Sequence, residues 1–415
     1  MSSKIYCDVA VIGAGAAGLM AAGRAAQLGA KVVLVEKNAR PGVKLLLTGK
    51  QRCNITCADE SKSAFVSAIG DNGKFLFSAL QNFGVRETLD FFHNLGLETK
   101  VENGTKVFPK SDKASDVLNT LLTYINEYDV QLLLNTAVKH LESANNQITG
   151  IHCASQDIVA RNYIVCTGGQ SYPSTGSNGE GYLWAQRLGH SVVTPAPALV
   201  AICLDDPWLK EVQAVELKNV QISLLQNDKI FAQRLGDAMF THEGISGPML
   251  IEVSKLVGQY LKRGKVSLQI DFFPSLSLNE ANQKIQRDYE QSGNRAIKNC
   301  LSQILPRRLI PIFIAKSHVH PDKMTSVITK EERTKLACLL KSFPVNVSSL
   351  GGFAKAIITT GGICLKEINS KTMGSNVVSN LYFAGEVIDL DGPTGGYNLQ
   401  ICWSTGYAAG TASAT

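Results

Sequence analysis

Long apolar runs are missing from this chain of 415 residues. No stretch of about 18 apolar residues free of glycine and charge occurs, so the sequence predicts no transmembrane span. Charge runs are missing as well. Lys and Arg are scattered without a run of five, and the net charge of +6 is modest for this length. That pattern predicts no nucleic-acid partner. Metal-type cysteine pairing is absent: ten cysteines spread from Cys7 to Cys402, several of them inside apolar stretches (Cys166, Cys203, Cys364). Buried free thiols of this kind point to a reducing compartment, the cytoplasm, and to no structural metal. No internal repeat is visible, which excludes a solenoid. What remains, 45% hydrophobic and 18% charged residues, describes an ordinary globular protein with a large core and room for two or three domains.

The most informative segment is residues 8–36. An apolar run (Val9 to Ile12) leads into Gly13, Gly15 and Gly18, an Ala-rich stretch of helical propensity follows (Leu19 to Leu28), and a second apolar run (Val32 to Val35) closes on Glu36. Strand, Gly-x-Gly-x-x-Gly turn, helix, strand and acid within ~30 residues form a dinucleotide-binding βαβ unit. Gly13 permits the tight turn, Gly15 lets backbone N–H groups of Ala16 and Ala17 approach a pyrophosphate, and Gly18 brings helix and strand together. Glu36 is placed to accept hydrogen bonds from a ribose and to repel a 2′-phosphate, which favours FAD or NAD over NADP. Lys4 before an apolar stretch also fits a secretory signal, but Arg24 and Gln27 interrupt that run.

Beyond Glu36 the sequence predicts a loop from Lys37 to Asn54, helices at Gly73–Phe83, Val85–Leu95 and Ser115–Tyr128 (with Ser111 or Ser115 as N-cap), and strands up to Gly169. From Thr194 the texture changes at Pro195, Pro197 and Pro207. Short alternating segments then predict a small β domain, helical periodicity takes over, and strand character returns at Ala354–Thr360. The expected division is a nucleotide domain at 1–193 and 353–415, a β-rich substrate domain at 194–275 plus about 343–352, and a helical subdomain at 276–342. The fold class is α/β.

Near the C-terminus, Leu381-Tyr382-Phe383-Ala384-Gly385-Glu386 reads as a strand ending in Gly-acid, and Gly395-Gly396-Tyr397-Asn398 opens a helix. With residues 8–36 this resembles the two-part signature of the glutathione-reductase-like FAD fold. Nearly the whole chain resembles the BaiN-like family of flavoproteins, which includes aminoacetone oxidases. The ordered matches are the glycine turn; Gly42-Val43-Lys44-Leu45, Thr48-Gly49 and Arg52-Cys53-Asn54; Val107-Phe108-Pro109; Gly168-Gly169 with Tyr172-Pro173 and Gly176-Ser177; Phe240 to Pro248; Thr360-Gly361-Gly362; Thr372-Met373; and the two C-terminal motifs with Asp389. The resemblance implies a Rossmann-like FAD domain interrupted by a β-barrel-like and a helical domain, with the active site between flavin and barrel. Two positions depart from the family pattern, Gln51 where glycine is usual and Cys57 where asparagine is usual.

The resemblance also assigns cofactor contacts to Lys37, Thr48, Cys53, Asn54, Thr167, Gly168, Gly169, Gly385 and Glu386. It places the adenine side at Val138, and the flavin pyrimidine edge at Gly395, Gly396, Tyr397, Asn398 and Leu399. Lys44 and Arg52 are expected to pair with pyrophosphate or balance a reduced flavin. His242, in a Gly/Ser/Pro-rich turn, is the acid/base candidate, with Tyr397 and Glu243 behind it. Cys53 and Cys57 form a Cys-x3-Cys pair that reads either as a redox dithiol or as loop structure.

No second Gly-x-Gly-x-x-Gly follows an unbroken strand, so no dedicated nicotinamide domain is expected. The reading is an FAD-dependent oxidoreductase moving hydride between flavin and a small organic substrate, with NAD(P)H-linked reduction of a C=C bond as the first option. An amine or aminoketone oxidase using O₂, and a non-catalytic flavin-binding regulator, stay open beside it.

Overall fold

Val9–Ile12 and Val32–Val35 are buried residue by residue, as a parallel sheet covered on both faces requires. In the computed structural model, which describes residues 3–154 and 156–415, they belong to the strands Ser3–Ile12 and Val32–Val35, paired in parallel with Val9 opposite Val32. Outside Val32–Val35 lies Gln131–Leu133. On the other side Ser3–Ile12 pairs with Gln156–Val165, whose far edge takes Leu381–Phe383 in parallel. The antiparallel strands Gln147–Cys153 and Val138–Ala144 complete the sheet. The helix Ala16–Gln27 lies against the C-terminal helix Tyr397–Ser413 through backbone: a Cβ on Gly406 would stand 2.6 Å from the Ala17 carbonyl oxygen, and one on Gly410 2.4 Å from that of Ala21. Both ends of the chain therefore build one unit, residues 1–197 and 357–415.

Residues 198–356 form a second unit. Its centre is a closed barrel in the order Ile202–Leu204, Gly244–Ser246, Lys229–Phe240, Glu216–Gln226, Val266–Asp271 and Phe343–Leu350. Val266, Leu268 and Ile270 alternate with more exposed neighbours, as do Phe343, Val345 and Val347. That period of two sends one side-chain set into the barrel. Pro248–Leu261 follows the barrel turn with Pro at its first helical position. Leu278–Ser292 and Lys330–Lys341 each begin with a capping box, Ser277 with Glu280 and Thr329 with Glu332. Lys341 anchors the latter helix to the barrel by an ion pair with Asp271 at 2.6 Å.

Several expected elements shift. The segment 37–54 contains the kinked helix Val43–Gln51, entered through Gly42 at φ +65°. Neither Ser111 nor Ser115 caps the helix Ala114–Glu127; Lys113 stands at its N-cap without a side-chain bond. The strand expected at Ala354–Thr360 runs instead over Ile358–Ile363. Among the described residues no helix is long and apolar enough to cross a membrane.

Candidate functional site

The turn after Ser3–Ile12 is built by contact between backbones. Gly13 has φ +100°, and a Cβ there would meet the Cys166 carbonyl oxygen at 2.6 Å; one on Gly18 would meet the Gly13 carbonyl oxygen at 1.8 Å. Gly15 is different: a Cβ there would touch nothing within 4 Å. Gly15 is also the N-cap of Ala16–Gln27 and offers no capping side chain. An open face at a helix N-terminus, beside the N–H groups of Ala16, Ala17 and Gly18, suits a pyrophosphate. Glu36 is buried, its two carboxylate oxygens accepting the Ala14 N–H at 2.9 Å and the Asn38 N–H at 2.8 Å. Those bonds aim the carboxylate at the turn and leave it lone pairs for a hydroxyl.

A second node joins distant parts of the same unit. Lys44 donates to Glu386 and to Ser171, both at 2.6 Å. The Ser171 hydroxyl donates to the other Glu386 oxygen at 2.8 Å, which also accepts the Thr359 N–H at 2.7 Å. Burial pushes the Glu386 carboxyl up, but Lys44, Ser171 and the Thr359 N–H outweigh it and hold the group below the usual carboxylate range. Gly169 allows this packing, since a Cβ there would stand 2.4 Å from Thr359 Oγ1 and 3.1 Å from Glu386 Oε1. Gly168 takes φ +71°, and beside it Thr167 Oγ1 is buried without a hydrogen-bond partner among the described residues. Gly385, at φ +77°, sits where a Cβ would come 2.7 Å from that of Ala17. The late Gly-Glu turn thus reaches the glycine-turn helix.

At the start of Tyr397–Ser413, Gly395 and Gly396 have φ +110° and +99°. A Cβ on Gly396 would lie 2.3 Å from the Thr56 carbonyl carbon. Asn398 accepts the Gly392 N–H at 2.8 Å and donates to the carbonyl oxygens of Gly392 and Pro393, holding the loop before the helix. Leu399 is half-buried. The Tyr397 ring centre is 4.8 Å from that of Phe65, and burial pushes its hydroxyl up.

Other predicted residues are occupied locally. Lys37 pairs with Glu180 at 2.6 Å. Arg52 engages Glu102 and Asp112 and lies 4.1 Å over the Phe108 ring, so its charge braces the loop. Thr48 donates to the Leu45 carbonyl, and the Asn54 side chain accepts the Val107 N–H. Val138 opens its strand opposite Cys153. Cys53 is fully buried with its thiol pushed up to about 12 by burial, and burial also raises Cys57. Both thiols are held away from the thiolate form, which favours loop structure over a redox pair.

His242 belongs to the other unit, in the turn between Lys229–Phe240 and Gly244–Ser246. The Thr241 N–H donates to the Gly244 carbonyl at 2.7 Å, and a Cβ on Gly244 would stand 1.9 Å from the Ile202 carbonyl oxygen. His242 is 60% exposed, with Nε2 3.1 Å from Glu243 Oε1, and Lys355 holds the Glu243 carboxyl below its usual range. These three residues line a small cleft of ≈ 170 Å³ with Thr241, Cys203 and Gly351. Sequence reasoning had not singled out Lys355, Ser171 or Thr359. The signals nearest to them were the Gly168-Gly169 pair two residues before Ser171 and the Thr360-Gly361-Gly362 motif beside Thr359.

A 3-dehydro-bile acid delta(4,6)-reductase from Clostridium scindens is 30% identical over 98% of both chains. A ribosomal RNA dihydrouridine synthase from Haemophilus influenzae is 30% identical over 97% of each, and one from Escherichia coli is 29% identical over 97% of this chain and 96% of that protein. Among solved structures, a 3-ketosteroid-delta4-(5alpha)-dehydrogenase from Rhodococcus jostii covers all of this chain and is itself fully covered, with TM-score 0.54 and 15% identity, which speaks to the fold alone. The HI0933-like protein Rossmann domain matches residues 7–412. The chain therefore belongs to the HI0933-like FAD Rossmann family of flavin-dependent oxidoreductases.

Proposed function

We propose that this protein reduces a carbon–carbon double bond conjugated to a carbonyl, using FAD with NAD(P)H as a transient reductant. One observation carries the reading. Relatives of nearly equal likeness are named for the Δ4,6 bonds of a 3-dehydro-bile acid and for making dihydrouridine in ribosomal RNA. Those two substrates share little except a C=C beside a carbonyl. Bound FAD supplies the hydride.

The chain's own residues supply the rest. The N–H groups at Gly15, Ala16, Ala17 and Gly18 hold the pyrophosphate, Glu36 the adenosine ribose, and the backbone at Val138 borders the adenine. The Lys44–Glu386–Ser171 node and Gly168-Gly169 support the ribityl region, with Thr167 Oγ1 a free hydrogen-bonding group for it. The N-terminus of Tyr397–Ser413, shaped by Gly395 and Gly396, stabilises negative charge on the flavin pyrimidine edge by up to ~2 kcal/mol. Lys37 and Arg52, already paired with carboxylates, are left out of this set. Hydride addition at the β-carbon requires a proton at the α-carbon, and His242 beside Glu243 is the proposed donor. Tyr397, held protonated by burial, acts as a hydrogen-bond donor.

Of the two substrate classes, a uracil base in RNA is the one favoured by charge. Residues 198–356 hold 21 Lys and Arg against 15 Asp and Glu, a net +6, while the rest of the chain balances 20 against 20. This departs from the expectation of no nucleic-acid partner, which rested on the charge averaged over the whole sequence.

The test is anaerobic. NADH or NADPH should bleach the ~450 nm flavin band of the purified holoprotein, and a uridine-containing RNA should restore it. Failure of both nucleotides to bleach the band, with reduction by an amine and peroxide formed in air, would replace this reading with an oxidase.

A further inference from the structure

We infer that one end of the barrel unit, around Lys229, Lys262, Arg263 and Lys265, is a surface that grips the phosphate backbone of RNA; this rests on the uracil reading above. The four cations come from two separate stretches of the sequence. Lys262, Arg263 and Lys265 follow the helix Pro248–Leu261, and Lys229 opens the strand after the hairpin turn at Gln226. Specific contacts draw them together. Gln226 donates its side-chain N–H to the Tyr260 carbonyl at 2.9 Å, and the Phe231 ring stacks on Tyr260 with centroids 3.7 Å apart and planes 7° from parallel. Arg263 lies 5.5 Å from the Tyr260 ring centre.

All four cations are exposed, and none pairs with a carboxylate among the described residues. Elsewhere in the unit Lys218, Lys298, Lys323, Lys341 and Lys355 each hold an acidic partner. Asp228 is the one acid in the hairpin turn itself. Ile230 beside it is 53% exposed, and with the edges of the Phe231–Tyr260 stack it offers an apolar, aromatic surface next to the charge. Unpaired cations around an aromatic platform are the chemistry of single-stranded RNA contact: counterions released from phosphates, bases resting on rings. A single carboxylate, such as a small organic acid carries, has no use for four cations.

The test uses full-length holoprotein and a fluorescein-labelled, uridine-containing 20-mer single-stranded RNA, followed by anisotropy across a salt series. The triple variant Lys229→Ala/Lys262→Ala/Lys265→Ala should bind about tenfold or more weakly, and its log K against log salt slope should fall by about 2, at ~0.7 for each phosphate no longer neutralised. Lys330→Ala/Lys335→Ala, elsewhere on the unit, should leave both unchanged, and Arg263→Lys, which keeps the charge, should keep the slope. Wild-type binding and slope in the triple variant would overturn the inference. So would absence of RNA binding by the wild type, or binding to phosphatidylglycerol vesicles in its place. Dihydrouridine formation is scored separately. RNA binding that depends on the patch without dihydrouridine supports the surface and sinks the uracil reading; dihydrouridine made equally well by the triple variant does the reverse.

Discussion

Replacing Lys44 by Met puts the packing of the second node to a quantitative test. Glu386 has three partners, and Lys44 is the only cation among them. With the cation gone, the largest remaining influence on the carboxyl is burial, which raises its pKa. Breaking a buried ion pair by removing one partner costs about 3–5 kcal/mol. Lys44 and Glu386 keep 24% and 17% of their side-chain surface, so the lower end, about 3 kcal/mol, is expected. For a unit of this size that corresponds to a Tm lower by roughly 6–12 °C. The sign with pH follows from the wild-type direction. A carboxyl held below its unfolded pKa adds stability above that unfolded value, and the addition is lost as pH falls through the folded pKa. In the variant the folded pKa rises, so acid neutralises the buried charge and relieves it. The gap between wild type and Lys44→Met should therefore be widest near neutral pH and close towards pH 4. Urea unfolding of both proteins at several pH values measures it, with Lys44→Met/Glu386→Gln recovering part of the loss. A gap under about 1 kcal/mol, or one independent of pH, would show that Lys44 does not stabilise the buried Glu386 carboxylate.

Three further outcomes follow from the geometry. Gly15→Ala should fold with near-native Tm, because its Cβ meets nothing, yet purify with little FAD; Gly18→Ala, whose Cβ would overlap the Gly13 carbonyl, should lose both fold and FAD, and equal behaviour of the two would contradict the assigned roles. Cys53 in the native protein should resist iodoacetamide at pH 8, since a thiol near 12 is about 1 part in 10⁴ thiolate there, and rapid labelling without unfolding would show the burial to be wrong. His242→Ala should keep its FAD and its bleaching by NAD(P)H but lower the rate of substrate reduction by about 10²-fold or more; an unchanged rate removes His242 from the chemistry.

The glycine turn was legible because its determinants are local: strand, three glycines, helix and acid fall within one short segment, and the structure places each in the expected element. The strand that runs into Gly385-Glu386 and the helix opened by Gly395-Gly396 were legible for the same reason. Residues 37–54 were not. Their Gly, Lys and Arg content reads as loop, while a left-handed Gly42 starts a helix that then breaks at Thr48, Gly49 and Lys50. The pairing of Arg52 with Glu102 and Asp112 was not legible, because those partners lie 50 and 60 positions away, beyond any local pattern. Barrel closure has the same character: Ile202 pairs with Leu350, a register that short alternating segments cannot announce. The uneven charge of the two units was hidden by averaging, since a neutral unit and a basic unit together look merely scattered.

The most direct measurement is a single turnover without oxygen. Holoprotein reduced by stoichiometric NADPH is mixed with uridine-containing RNA, or with a steroid enone, and the product is weighed by mass spectrometry. The expected result is a gain of two hydrogen atoms across the C=C bond, with no more product than reduced flavin. Unchanged RNA and unchanged enone, with the flavin still reduced until air is admitted and peroxide appears, would contradict it.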